Sequence, residues 1–123
     1  MHLSNTAITE HGVLITLHEF LTIKTKDIGF GGFAQRDPFT FLTKSGKELQ
    51  IGIQASSVQY CTPQETSHEF KFYSEVEGQS PSWTMSEEVV EQYAEDPENP
   101  TSTLYAYIPL VVLAKEIYVA IQD

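Results

Sequence analysis

The chain has 123 residues, 41% of them hydrophobic, with fourteen aromatics and one cysteine; this suffices for one packed core and excludes an intramolecular disulfide. Its formal net charge is −10, and eight carboxylates fall between Phe72 and Ala114, a stretch with no Lys, Arg or His. A field so one-sided repels nucleic acid, anionic lipid and phosphate metabolites, and attracts basic surfaces or cations.

In chain order, residues 13–23 place Val13, Ile15, Leu17, Glu19, Leu21 and Ile23 at alternate positions, which predicts a strand with one buried face. Helical spacing of Leu14, Leu17, His18 and Leu21 competes, but Gly12, the threonines and the β-branched residues favour the strand. Gly29-Phe30-Gly31-Gly32-Phe33 and then Asp37-Pro38 break the periodicity and read as a loop. A hairpin is predicted over residues 39–54, with Phe39 and Phe41 facing the core on one strand and Leu49, Ile51 and Ile53 on the other. Lys44-Ser45-Gly46-Lys47 forms its turn, and Gly46 supplies the positive φ that the turn needs.

Ala55-Ser56-Ser57 reads as a bulge before a short extended run to Cys61, and Thr62-Pro63-Gln64 as a break. A strand over residues 68–76 puts Phe70, Phe72 and Val76 on one side and Glu69, Lys71, Tyr73 and Glu75 on the other. Residues 77–81 then read as a loop. Thr84 and Glu87 have the spacing of a capping box for a helix over residues 85–95, which Asp96-Pro97-Glu98-Asn99-Pro100 terminates. Residues 104–108 read as a strand. Pro109 suits the first turn of a helix, and Leu110, Leu113, Ala114, Ile117, Tyr118 and Ile121 continue it as an apolar stripe over residues 109–121. The order predicts a single α+β domain over residues 1–123: a mainly antiparallel sheet of about five strands packed with two helices, in two layers.

Three groups of residues bear on function. The acidic region around the first predicted helix contains Glu87, Glu88, Glu91, Glu95, Asp96 and Glu98, with Glu87, Glu91 and Glu95 at i, i+4 and i+8. Like charges at that spacing cost about 0.2–0.5 kcal/mol per pair, so the stripe marks either a surface that meets a basic partner or a solvated face. Tyr60, Tyr73, Trp83, Tyr105 and Tyr107 supply the composition of an aromatic-lined pocket and equally that of an ordinary core. The C-terminal helix also carries Val111, Val112 and Val119, more apolar surface than one sheet face covers, which predicts self-association as a dimer.

No catalytic or metal-ligand constellation stands out. His2, His11, His18 and His68 are scattered without HExxH or Cys/His spacing, and the acidic run at residues 95–99 matches no EF-hand loop. Cys61 reads as a small buried side chain, and the glycine cluster lacks both P-loop and dinucleotide-fold spacing. No motif is specific enough to carry a family resemblance. Without an apolar run of about 18 residues or a basic leader, the expectation is a cytoplasmic protein that meets neither membrane nor nucleic acid and holds no cofactor or metal. The predicted role is a non-enzymatic binding protein whose acidic region docks a basic macromolecule, as an inhibitor or immunity protein does. The alternative is a small-molecule-binding domain or modest enzyme built around the aromatic residues.

Overall fold

Short strands and three helices alternate in the computed structural model, which describes residues 2–3, 9–22, 26–27, 34–56, 59–64, 73–80 and 82–123. In chain order they are β1 (His2–Leu3), α1 (Glu10–Thr22), β2 (Lys26–Asp27), β3 (Ala34–Gln35), β4 (Phe39–Leu42), β5 (Glu48–Gln54), β6 (Glu75–Gln79), α2 (Glu87–Tyr93), β7 (Tyr105–Pro109) and α3 (Leu110–Ile121). Strands β4, β5, β6 and β7 form an antiparallel sheet in that order, β1 joins the β4 edge in parallel, and β2 pairs with β3 separately. The predicted α+β architecture is the one observed, with four antiparallel strands and three helices.

The difference from two helices and about five strands is the segment predicted as a strand over residues 13–23. Its described part, through Thr22, is helical because Val13, Leu17, Phe20 and Leu21 form a buried stripe at i, i+4, i+7 and i+8. Thr9 caps the helix, its Oγ1 accepting the Gly12 N–H at 3.0 Å. That stripe packs with α3 into the same cluster as the sheet residues Phe39, Phe41, Leu49, Ile51, Ile53, Val76 and Ile108.

The hairpin forms as predicted, with Phe39 opposite Ile51 and Phe41 opposite Leu49. Gly46 has φ 88°. The turn also braces the far end of α3: Lys44 N–H donates to Ile121 O at 2.8 Å and Ser45 N–H to Asp123 O at 3.2 Å.

Three other boundaries move. Residues 77–79, predicted as loop, are the end of β6, because Glu77, Gly78 and Gln79 pair with Gln54, Ile53 and Gly52 of β5. Helix α2 starts at Glu87, not 85, and Ser86 makes no side-chain cap bond, so the predicted Thr84/Glu87 box does not form. The helix ends at Tyr93 because Ala94 turns extended, bridges to Tyr105, and lets Glu95 N–H donate to Leu104 O at 2.9 Å. The glycine cluster at residues 29–33, residues 57–58 of the predicted bulge and extended run, and residues 68–72 of the predicted strand lie outside the described residues.

Candidate functional site

Helix α2 is held by its apolar side, Val89 and Val90 being buried, which turns Glu87, Glu88 and Glu91 to solvent. Its start is tied to α3 by a charge-assisted bond: the Ser86 N–H donates to Glu116 Oε1 at 2.6 Å. Between the two helices runs an open groove of about 560 Å³. Its apolar lining comes from Val89, Tyr93, Val112 and Val119, and its charged lining from Glu87, Glu88, Glu91, Glu116 and Lys115. A second open groove, of about 600 Å³, begins on the other side of Val119 and is lined by Leu49, Trp83, Lys47 and Asp123 among others. Val119 is 57% exposed and borders both.

The six carboxylates of the predicted acidic region therefore divide. Glu87, Glu88 and Glu91 line the groove; Glu95, Asp96 and Glu98 lie past the end of α2 in an exposed turn and do not. The i, i+4, i+8 stripe is thus a single i, i+4 pair, Glu87 with Glu91, since Glu95 is outside the helix. The turn is closed by its own polar groups. Asn99 Nδ2 donates to Asp96 Oδ2 at 2.8 Å, and Asp96 N–H to Thr103 Oγ1 at 2.8 Å. Among the described residues no three His, Cys, Asp or Glu converge as a metal ion requires.

The five aromatic candidates are not brought together. Tyr73 and Tyr105 are fully buried, Tyr105 donating its hydroxyl to Pro100 O at 2.7 Å. Burial pushes the Tyr105 phenol above its ordinary range, and the nearby Glu116 charge adds to the effect. Trp83 is half-buried edge-on to Phe41, with Nε1–H donating to Gln50 O at 3.1 Å. Only Tyr60 and Tyr107 pair, their ring centroids 5.8 Å apart on an exposed surface.

Cys61 is buried, its thiol donating to Ser56 O and Pro63 O. Burial raises its pKa, the opposite of what a nucleophile needs. His11 is exposed on α1, while His18 is half-buried there and pulled below the ordinary imidazole range by desolvation. Arg36 is spent on structure, donating through Nη1 to Ala55 O at 2.9 Å and Nη2 to Leu21 O at 3.1 Å.

Sequence reasoning missed the α3 half of the groove. Glu116 and Lys115 are polar positions within an otherwise apolar helix, but which helix they face depends on where α2 docks. Comparison of the chain with protein-family models, with characterised proteins and with solved structures gives no match. No helix among the described residues is long and apolar enough to cross a membrane.

Proposed function

We propose that this is a non-enzymatic binding protein whose α2–α3 groove docks a basic, amphipathic segment of a macromolecular partner, a role of the inhibitor or immunity type. The observation that carries this reading is the combination in one groove of an apolar lining, Val89, Tyr93, Val112 and Val119, with four carboxylates, Glu87, Glu88, Glu91 and Glu116. An apolar groove takes the apolar side of a helix or strand, and the carboxylates select Lys and Arg on its flanks while speeding encounter. The net charge of −10 acts in the same direction at longer range. The open shape of the groove and the use of Tyr73 and Tyr105 as core favour this reading over a small-molecule pocket.

The test is affinity for a designed Leu/Lys amphipathic peptide across a salt series, with a Leu/Glu peptide as control. Saturable binding of the first alone, weakening as salt rises, supports the reading. Equal binding of both peptides, or none, refutes it.

A second reading rests on Val111 and Val119, which are 60% and 57% exposed on α3 and flank Lys115 at i, i+4 and i+8; Lys115 and Val119 also line the groove, so the two modes of binding compete. Self-association through this stripe as a homodimer strengthens with salt, because screening reduces the repulsion between two acidic chains. Peptide docking weakens with salt, so one series separates the two.

A further inference from the structure

On the sheet face opposite the core, the chain holds a tyrosine in a conformation that tyrosine resists. Val76 pairs with Ile108 and Gly78 with Tyr105, so Ala106 and Tyr107 together stand opposite Glu77 in a β-bulge. Tyr107 has φ 53°, in the left-handed region where a bulky side chain is strained and Gly or Asn is at ease. Burial does not offset this, since the side chain is 41% exposed. What the bulge accomplishes is placement. Tyr107 N–H donates to Tyr60 O at 3.1 Å, and the Tyr107 ring lies beside that of Tyr60, itself 42% exposed, tilted by 38° at 5.8 Å.

A carboxylate is fixed at the Tyr60 backbone. Glu77 alternates with Val76 and Gly78, so its side chain leaves the sheet away from the core. There Glu77 Oε2 accepts the Tyr60 N–H at 3.0 Å, which orients the group and leaves Oε1 to accept another donor. Glu77 also walls a notch of about 180 Å³ that includes Gly52, Gln54, Gln59 and Gln79. This volume admits the end of one side chain and no larger ligand. Among the described residues that line the notch there is no cation: Arg36 is bound to the carbonyls of Leu21 and Ala55, and Lys115 and Lys47 border the helix-side grooves.

We infer that Tyr60, Tyr107 and Glu77 form a recognition site on the open sheet face for an arginine side chain presented by a polypeptide partner. A guanidinium is planar, stacks on a tyrosine face and donates in a fork, so it can lie on a ring while bonding to the Glu77 carboxylate. An ammonium meets the carboxylate but lacks the stacking plane. The site is separate from the α2–α3 groove and stands whether or not that groove binds a partner.

The experiment is titration of the full chain with acetyl-Gly-Arg-Gly-amide, following the ring resonances of Tyr60 and Tyr107, with lysine and citrulline versions of the peptide in parallel. Saturable shifts of both rings with the arginine peptide, weaker with lysine and absent with citrulline, are expected. Glu77→Gln and Tyr60→Ala each weaken binding about two- to fivefold. Tyr107→Phe, which retains the ring, leaves binding within about twofold, and Glu10→Gln on α1 leaves it unchanged. Shifts that fail to saturate, that citrulline reproduces, or that survive Tyr60→Ala undiminished in a folded protein overturn the assignment.

Discussion

Gly46→Val tests the turn on which both the hairpin and the end of α3 depend. A Cβ at Gly46 meets nothing within 4 Å, so the substitution clashes with no neighbour and its effect lies in the backbone. Holding an L-residue in the left-handed region costs about 1–2 kcal/mol, and a β-branched side chain resists it further. Stiffening of the unfolded chain on losing a glycine offsets about 0.4–1 kcal/mol of this. If the turn instead relaxes to a negative φ, it moves Lys44 and Ser45, whose N–H groups hold Ile121 O and Asp123 O at 2.8 and 3.2 Å. Each bond contributes about 0.5–1.5 kcal/mol, so after that offset both routes leave a net loss centred on about 1 kcal/mol. Asn tolerates left-handed φ, and Gly46→Asn is expected to lose less than half as much as Gly46→Val. Urea denaturation reads the difference as a lower midpoint at constant slope. A midpoint for Gly46→Val equal to that of the parent, or Gly46→Asn as damaging as Gly46→Val, refutes the reasoning.

Glu91→Lys places a cation four residues after Glu87 in the last turn of α2, and the free protein should gain about 0.3–1 kcal/mol at low salt, shrinking as salt rises; a loss at every salt concentration counts against an exposed, frustrated helix. Stability should fall above about pH 9, because the unfolded chain then releases the Cys61 proton that the buried thiol retains, and the slope of stability with pH is negative wherever the unfolded state holds fewer protons. Tyr105 extends the loss above about pH 10, and Cys61→Ala should flatten only the first part; an unchanged profile contradicts the burial argument. Small-angle scattering over a dilution series tests the stripe of Val111, Lys115 and Val119: self-association gives a radius of gyration that falls on dilution toward about 14 Å, whereas a constant value near that figure leaves the stripe solvated.

The parts of the fold legible in the sequence are those where one local signal outweighs its rivals. The valines Val111, Val112 and Val119 would tolerate a strand, but Leu110, Leu113, Ala114, Ile117 and Ile121 after Pro109 keep an uninterrupted helical stripe, and all five are buried. Phe39, Phe41, Leu49, Ile51 and Ile53 around Gly46 fit only a hairpin. In α1 two periods coexisted, since Leu17 and Leu21 belong both to an alternating set and to a helical one, and the Thr9 cap outside that window decides between them. Gly78 reads as a loop residue by itself; it is a strand residue because it pairs with Ile53 of β5, a partner distant in sequence. The acidic half of the groove was visible as Glu87, Glu88 and Glu91, whereas Glu116 entered through the packing of α3 beside α2, which no local pattern encodes. The Tyr60–Tyr107 pair depends on a bulge and a left-handed φ set by strand register, and tyrosine at position 107 gives no hint of either.

The most direct test of the α2–α3 groove is an amide chemical-shift map during titration with the Leu/Lys peptide at low salt. Docking in the groove predicts saturable shifts concentrated on Ser86, Glu87, Glu88, Val89 and Glu91 of the α2 side and on Val112, Glu116 and Val119 of α3. Replacing Glu87, Glu88 and Glu91 together by Gln should abolish most of the response while the rest of the spectrum stays in place. Shifts that instead follow the exposed turn at Glu95, Asp96 and Glu98, or that persist in the triple variant, would contradict the groove as the docking site.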